Sequence, residues 1–272
     1  MGEWKLLDID LDKARIREMQ AEYIFVDERS IRSLLKPRNP FTAKRDYGSV
    51  MLFAGSMGMM GAAVMCARAI LKSGAGLATV HSASCGMPVV QTAVPEAMFE
   101  PDRNEHFISD MTLHHEHQAV ASGPGIGTRD ETVNALESLL KLNTTPMVLD
   151  ADALNCMAKR PALLQLLPAA TIITPHAGEF DRLFGECQGA EQRLTKAIEA
   201  AKRYNIIIVL KGHYTAVVRP TGRVYFNSTG NPGMASGGMG DTLTGIIAAL
   251  CGQGLDVWES AVLGVYLHGL AG

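Results

Sequence analysis

The segment NPGMASGGMGDTLTG, residues 231–245, combines residue types that bind an anion and act beside it. Gly230, Gly233, Gly237, Gly238 and Gly240 precede Asp241, and an apolar run follows. Glycines free the backbone to take positive φ and let another molecule come close to its N–H groups. A helix starting near Asp241 leaves the amides of Gly238 to Gly240 unpaired and aimed at one spot, where the helix dipole adds positive potential. Such a spot binds anions. A carboxylate beside a bound anion is repelled by it and needs a task, such as accepting a proton from a hydroxyl. The other reading makes Asp241 an N-cap after a flexible loop; the density of glycines upstream favours the base.

Further polar residues sit just past apolar runs, where open parallel sheets bind ligands. IVLKGHYTAV (208–217) puts Lys211 and Gly212 at a strand end, with Thr215 able to close a wrap around a nucleotide; a turn with a solvated lysine is the equal alternative. VLDADALN (148–155) and TPHAGEF (174–180) bring Asp150, Asp152, Asn155, His176 and Glu179 toward the same rim, with Asp152 read as a helix cap. The glycines at 55, 58 and 61 do not have the G-x-G-x-x-G spacing, nor does GPGIG (123–127), and no G-K-[ST] occurs. The chain therefore carries neither the dinucleotide fingerprint nor a Walker A loop. His114, His115 and His117 lack a convincing fourth ligand and read as a solvated loop.

The elements that must hold these residues alternate. Strand-like runs at 49–55, 77–81, 119–123, 146–152, 171–175 and 206–212 are separated by helical patterns near 59–73, 130–141 and 190–203. Glycine-bounded strands alternating with helices indicate βαβ units and a mostly parallel sheet with helices on both faces. TAVVR (215–219) and RVYFN (223–227) flank PTG and read as an antiparallel hairpin closing one edge. Two apolar helices, near 241–251 and 256–270, complete the pattern. Residues 1–48 are charge-rich, punctuated by KPRNP, and read as a helical arm or connector ahead of a domain spanning 49–272.

With 272 residues, 47% of them hydrophobic, one large α/β core is expected. A net charge of −3 with scattered Lys and Arg argues against nucleic acid as a partner. Five cysteines without a C-x-x-C pair, and an N-terminus without an apolar targeting core, point to the cytoplasm. Apolar stretches are interrupted well before membrane-spanning length, so no membrane role is expected.

In order along the chain, AGSMGMMGAA, GAGLATV, VPEAM, GPGIG, VLDADALN, TPHAGEF, VLKG with Thr215, and STGNPGMASGGMGDTLTG resemble the NAD(P)H-hydrate dehydratase family from about residue 48 onward. The resemblance implies a ribokinase-like three-layer α/β fold and dehydration of the S-form of hydrated NADH or NADPH with ADP or ATP as co-substrate, yielding AMP or ADP, phosphate and the repaired dinucleotide. It implies Asp241 as the catalytic residue and Gly237 to Gly240 as the anion hole, with Gly238 and Gly240 acting on the transferring group. Lys211, Gly212, His213, Tyr214, Thr215, Asn231, Gly237 and Gly240 would contact the nucleotide. Ala62, Gly125, His176 and Asp241 would contact the hydrate. Related sugar kinases carry Asn-x-x-Glu where this chain has His176-Ala-Gly-Glu179, which makes Glu179 a water-mediated Mg2+ contact. A vitamin-precursor kinase of the same fold and a non-catalytic nucleotide-binding regulator are the rival readings; the intact Gly-Gly-Met-Gly-Asp run counts against the second.

Two expectations concern the whole molecule. The resemblance implies a homotetramer, and glycine- and alanine-rich helices such as 59–73 leave apolar surface for one. VYLHGLAG ends in mid-pattern without a stop signal, so Gly272 is expected not to be the natural terminus, and residues 1–48 resemble the connector after an epimerase domain to which the natural chain would be fused.

Overall fold

A computed structural model describes residues 7, 9–19, 21–35 and 37–272. In chain order its elements are α1 (Lys13–Glu18), β1 (Tyr23–Val26), α2 (Glu28–Arg32), β2 (Ser49–Phe53), α3 (Met60–Lys72), β3 (Leu77–Ser82), α4 (Met87–Ala93), β4 (Met98–Pro101), β5 (Ala119–Ser122), α5 (Asp130–Leu142), β6 (Met147–Leu149), α6 (Asp152–Lys159), β7 (Thr171–Ile173), α7 (Ala177–Phe184), α8 (Ala190–Tyr204), β8 (Ile207–Leu210), β9 (Ala216–Val218), β10 (Val224–Asn227), α9 (Met239–Gly252) and α10 (Val257–Ala271).

Successive side chains on a strand point to opposite faces, and here both faces are buried. Val50 and Leu52 of β2 join one core, which includes Ile70 of α3, Ile247 of α9 and Leu263 of α10. Met51 and Phe53 of the same strand join the other, with Leu136 of α5, Leu154 of α6 and Ala201 of α8. A sheet covered on both sides needs crossover helices, which is why its strands read as continuous apolar runs and not as alternating ones. The result is the expected three-layer α/β architecture.

The strands form one sheet in the order β1-β10-β9-β8-β7-β6-β5-β2-β3-β4. The pairings are parallel except for the two made by β9, which is antiparallel to both β8 and β10. The 215–227 region is thus antiparallel as read from sequence, but it does not close the edge. β1 pairs in parallel with β10, Tyr23 opposite Val224 and Val26 opposite Asn227. A stretch read as helical arm therefore contributes the last strand. Its four residues, set among charges, are too few for a periodicity to stand out. Helices α4, α6 and α7 and strand β4 were also not read from the sequence, all being eight residues or fewer.

Helix α9 packs closely on α3. A Cβ on Gly245 would fall on the carbonyl oxygen of Cys66 and 2.7 Å from the Ala69 Cβ. The glycine costs helix propensity but lets the two helices touch through their backbones. Among the described residues no helix is long and apolar enough to cross a membrane.

The close contact has a measurable consequence. Gly245→Ala should lower stability by about 1–3 kcal/mol, since overpacking outweighs the roughly 0.5–1 kcal/mol that alanine contributes to helix propensity. Urea unfolding would show a lower midpoint; an unchanged or higher midpoint would mean that α3 and α9 separate freely.

Candidate active site

The sheet reverses its direction of growth at β2. From β2 the chain builds outward through β3 and β4, then returns to add β5 on the other side of β2. Loops diverge at such a point, which leaves a crevice at the carboxyl ends of the strands. Here the loops after β2 and β5 are cross-tied: Gly55 N donates to Pro124 O at 2.8 Å, and Ser56 Oγ to Gly125 O at 2.8 Å.

Along the same rim, the ends of β6, β7 and β8 and the start of α9 enclose a cavity of about 590 Å³. Its chemistry centres on Asp150, immediately after β6 and 1% exposed. One carboxylate oxygen accepts from Lys211 Nζ at 2.7 Å and the other from Thr244 Oγ1 at 2.9 Å. Lys211 follows β8, where its backbone N donates to Pro175 O at 2.9 Å and so stays beside the end of β7. The Lys211 ammonium also lies 3.7 Å from Glu179 Oε2.

Glu179 and His176 are held by a capping box at the start of α7. Glu179 Oε2 accepts from the His176 backbone N at 2.8 Å, while His176 Nδ1 accepts from Gly178 N at 3.1 Å and Glu179 N at 3.3 Å. That leaves the ring proton on Nε2, facing Glu179 Oε1 at 3.4 Å. Thr215 Oγ1 donates to Gly212 O at 2.8 Å and closes the turn that begins at Lys211.

Asp241 is not the N-cap. Gly238 holds that position with φ of 87°, makes no side-chain cap, and α9 begins at Met239. A left-handed conformation is one that glycine adopts without strain. Asp241 therefore lies in the first turn, where the amides of Met239, Gly240 and Asp241 have no acceptor within the helix. Burial pushes the Asp241 carboxyl above the usual aspartate range, and the Asp150 charge adds to this against the opposing pull of Lys211.

His176, Glu179, Lys211, Gly212, His213, Thr215, Asn231, Gly240 and Asp241, all named from the sequence, line this one cavity. Tyr214 instead faces a neighbouring apolar cavity of about 440 Å³, beside Leu194 and Phe226, and residues 211–213 form the wall between the two. Ala62 and Gly125 line neither; they meet each other, a Cβ on Gly125 falling 3.3 Å from the Ala62 Cβ. Gly237 and Gly238 also lie off the cavity wall, with Gly238 backed against Met65 of α3.

Two sequence readings are corrected. Asp152 is the first residue of α6 and no cap; its carboxylate accepts from Gly127 N at 2.9 Å and Asn155 Nδ2 at 3.1 Å, which pins the loop after β5. His117 is buried, 7% exposed, and not part of a solvated loop. The residues that the sequence left without a role are Asp150 and Thr244. Asp150 stood beside Asp152 in VLDAD, and only the depth of burial tells the two apart.

Comparison with known proteins was made on this geometry. A family model described as NAD(P)H-hydrate dehydratase matches residues 50–272. An ADP-dependent (S)-NAD(P)H-hydrate dehydratase of Bacillus subtilis is 34% identical over 249 residues, 90% of this chain and 87% of its own. A bifunctional NAD(P)H-hydrate repair enzyme of Moorella thermoacetica is 37% identical over 281 residues, 100% of this chain and 53% of its own. The chain spans about half the length of the bifunctional relatives it matches. The solved B. subtilis ADP/ATP-dependent NAD(P)H-hydrate dehydratase, co-crystallised with ATP/Mg2+, aligns with a TM-score of 0.80 at 33% identity over 91% of this chain and 87% of that one. A ribokinase-like superfamily protein from Enterococcus faecalis aligns with a TM-score of 0.80 at 27% identity, over 93% and 88%.

The raised Asp241 carboxyl predicts a pH-dependent cost. The folded state holds that proton more tightly than the unfolded chain, so stability falls as pH rises from the ordinary aspartate value of 3.8 through the raised one. Asp241→Asn should therefore raise Tm at pH 7, and the gain should disappear in acid below about that ordinary value. Thermal unfolding at both pH values checks it; an equal Tm at pH 7 would remove the case for a destabilised carboxylate.

Proposed function

Since the chain belongs to the NAD(P)H-hydrate dehydratase family, we propose that it restores the S-form of hydrated NADH and NADPH to the reduced dinucleotides at the expense of ADP, or of ATP. The observation that carries this reading is Asp241 itself: a carboxyl raised by burial, in the first turn of a helix whose opening residues Met239 and Gly240 line the cavity that also holds Lys211. A group of this kind is a proton acceptor tuned toward neutral pH, set beside donors for a phosphoryl group.

In the proposed reaction Asp241 takes the proton from the hydroxyl of the hydrated nicotinamide ring. The hydroxyl oxygen attacks the terminal phosphoryl of the nucleotide, whose bond to the departing AMP (or ADP) breaks while Lys211 and the α9 amides near Gly238 and Gly240 neutralise the transferring group. The ring C–O bond then breaks to release phosphate, and the adjacent ring carbon gives up a proton to solvent as the double bond returns. Gly240 lies beside the pair it serves, a Cβ there standing 3.4 Å from both Asp150 Oδ2 and Lys211 Nζ. Ala62, Gly125 and His176 are assigned to the hydrate, and residues 211–215, Asn231 and Gly237 to the nucleotide. ADP is the favoured co-substrate because the Bacillus and Listeria relatives are named ADP-dependent.

Magnesium fits this donor set in one way. Among the described residues no group of three His, Cys, Asp or Glu could hold an ion, and Mg2+ in nucleotide sites usually takes one or two carboxylates, phosphate oxygens and water. Glu179, on the cavity wall, would hold it through water. When bound, the ion would supply charge neutralisation to the phosphates. All five cysteines are free, which suits the cytoplasm proposed as the compartment.

Asp241→Asn should lower turnover by roughly 10²- to 10⁴-fold while ADP affinity holds or rises, because the proton acceptor is lost and the amides remain. Recovery of reduced-nicotinamide absorbance and release of phosphate, measured together, would give one of each per turnover in the wild type. A stable phosphorylated product would instead mark a kinase, and near wild-type turnover by the Asn variant would remove Asp241 from the chemistry.

We also propose a homotetramer. Met57, Met59, Met87, Val89 and Met98 expose between 37% and 65% of their surface, apolar side chains of the kind that subunit contacts cover. Light scattering should give four times the chain mass; a concentration-independent monomer would exclude it.

A further inference from the structure

Arg182 lies in the second turn of α7, the helix that opens with His176 and Glu179. Helical side chains lean toward the N-terminus of their own helix, and the Arg182 guanidinium accordingly reaches back to the first turn. A Cβ on Gly178 would lie 3.7 Å from Arg182 Nη1 and 3.2 Å from His176 Cε1. A single glycine therefore separates the guanidinium from the imidazole on the cavity wall.

The guanidinium is fixed by a neutral group. Arg182 Nε donates to Asn155 Oδ1 at 3.1 Å, Asn155 Nδ2 donates to Asp152 Oδ1 at 3.1 Å, and Asp152 Oδ2 accepts from Gly127 N at 2.9 Å. This chain of bonds runs from α7 through α6 to the loop that carries Gly125. Arg182 thus stands between the surroundings of His176 and those of Gly125, two of the residues assigned to the hydrate.

What the arrangement leaves unused is the charge. Asn155 stands between Arg182 and Asp152, so it orients the guanidinium without neutralising it. The neighbouring acid on α7, Asp181, is taken by Arg193, whose Nε and Nη2 reach its two oxygens at 2.9 and 2.6 Å. Glu179 faces His176 and Lys211. Among the described residues Arg182 has no carboxylate within ion-pair distance, its two Nη groups have no acceptor, and the residue is exposed. A planar guanidinium held through Nε presents its Nη groups as a fork, and a phosphate offers a matching pair of oxygens.

The rim has need of such a cation. Asp150, Glu179 and Asp241 bring three carboxylates to the cavity, and its ammonium, Lys211, is already shared between Asp150 and Glu179. A hydrated dinucleotide with its ring at Asp241 carries a diphosphate bridge one ribose away, two negative charges that must lie beside these carboxylates. We propose that Arg182 binds this diphosphate bridge, its Nη groups donating to phosphate oxygens next to His176. The proposal rests on the reading of this rim as the hydrate site.

Steady-state kinetics with hydrated NADH and hydrated NADPH, together with calorimetric affinity for ADP, test it on wild type, Arg182→Ala and Arg182→Gln. Glutamine removes the charge but keeps a donor for Asn155, and with it the tie between α6 and α7. Both variants should raise KM about 10-fold for both hydrates, as loss of a charge-assisted contact implies. The kcat and the ADP affinity should stay near wild type. An unchanged KM in Arg182→Gln overturns the proposal. So does a rise confined to hydrated NADPH, which would move the contact to the 2′-phosphate, or a fall in ADP affinity, which would move it to the nucleotide. A loss that falls on kcat alone overturns it too, making Arg182 a support for His176. A wild type that turns over neither hydrate overturns the dehydratase reading and this inference with it, whereas turnover with KM indifferent to Arg182 overturns this inference alone.

Discussion

The buried carboxylate of Asp150 is the constraint around which the rim is organised. A charge at 1% exposure is tolerable only when paired and hydrogen-bonded. Its partners come from far along the chain, Lys211 61 residues on and Thr244 94 residues on. Meeting both brings the end of β8 and the second turn of α9 to the end of β6. The ammonium so positioned is shared among Asp150, Glu179 and the more distant Asp241, and one cation cannot fully compensate three carboxylates. Asp241 is left with its burial largely unopposed. The raised basicity of the candidate catalytic group is thus a consequence of how the structural ion pair is satisfied.

The approach of α9 to that pair depends on what its residues lack. Gly240 lies where a Cβ would stand 3.4 Å from both charged partners, and Gly245, on the other side of the helix start, lets α9 lie against the α3 backbone. The left-handed Gly238 lets the chain turn into the helix without a side-chain cap, so the first amides are left without a side-chain partner at residues that line the cavity. Helix position, anion site and base are therefore one arrangement, and a side chain at Gly238 or Gly245 would disturb it.

The parallel sheet supplies the frame. Strands β5 to β8, like β2 to β4, point their carboxyl ends to one rim because crossover helices on both faces return the chain each time. The walls of the cavity are then the first residues after β6, β7 and β8. At the other boundary, the last turn of α10 braces the 229–231 segment through Thr229 and Asn231, so two terminal helices, one beginning and one ending at the site, complete it.

Much of this was legible in the residues themselves. The apolar runs specified a parallel sheet buried on both faces, because burial of both faces leaves a continuous pattern. The glycine run before Asp241 specified an open helix start, and Lys211 after IIIVL specified a charge at a strand end, since these are signals carried within about a dozen residues. Periodicity and turn chemistry report only such local relations. Which of two aspartates two residues apart would be buried, that Thr244 would reach Asp150, that four residues near the N-terminus would add an edge strand, and that His268 would line the cavity were decided by tertiary structure. Each depends on which side chains come within hydrogen-bond distance when elements tens of residues apart are packed together, and no spacing along a single chain encodes that distance.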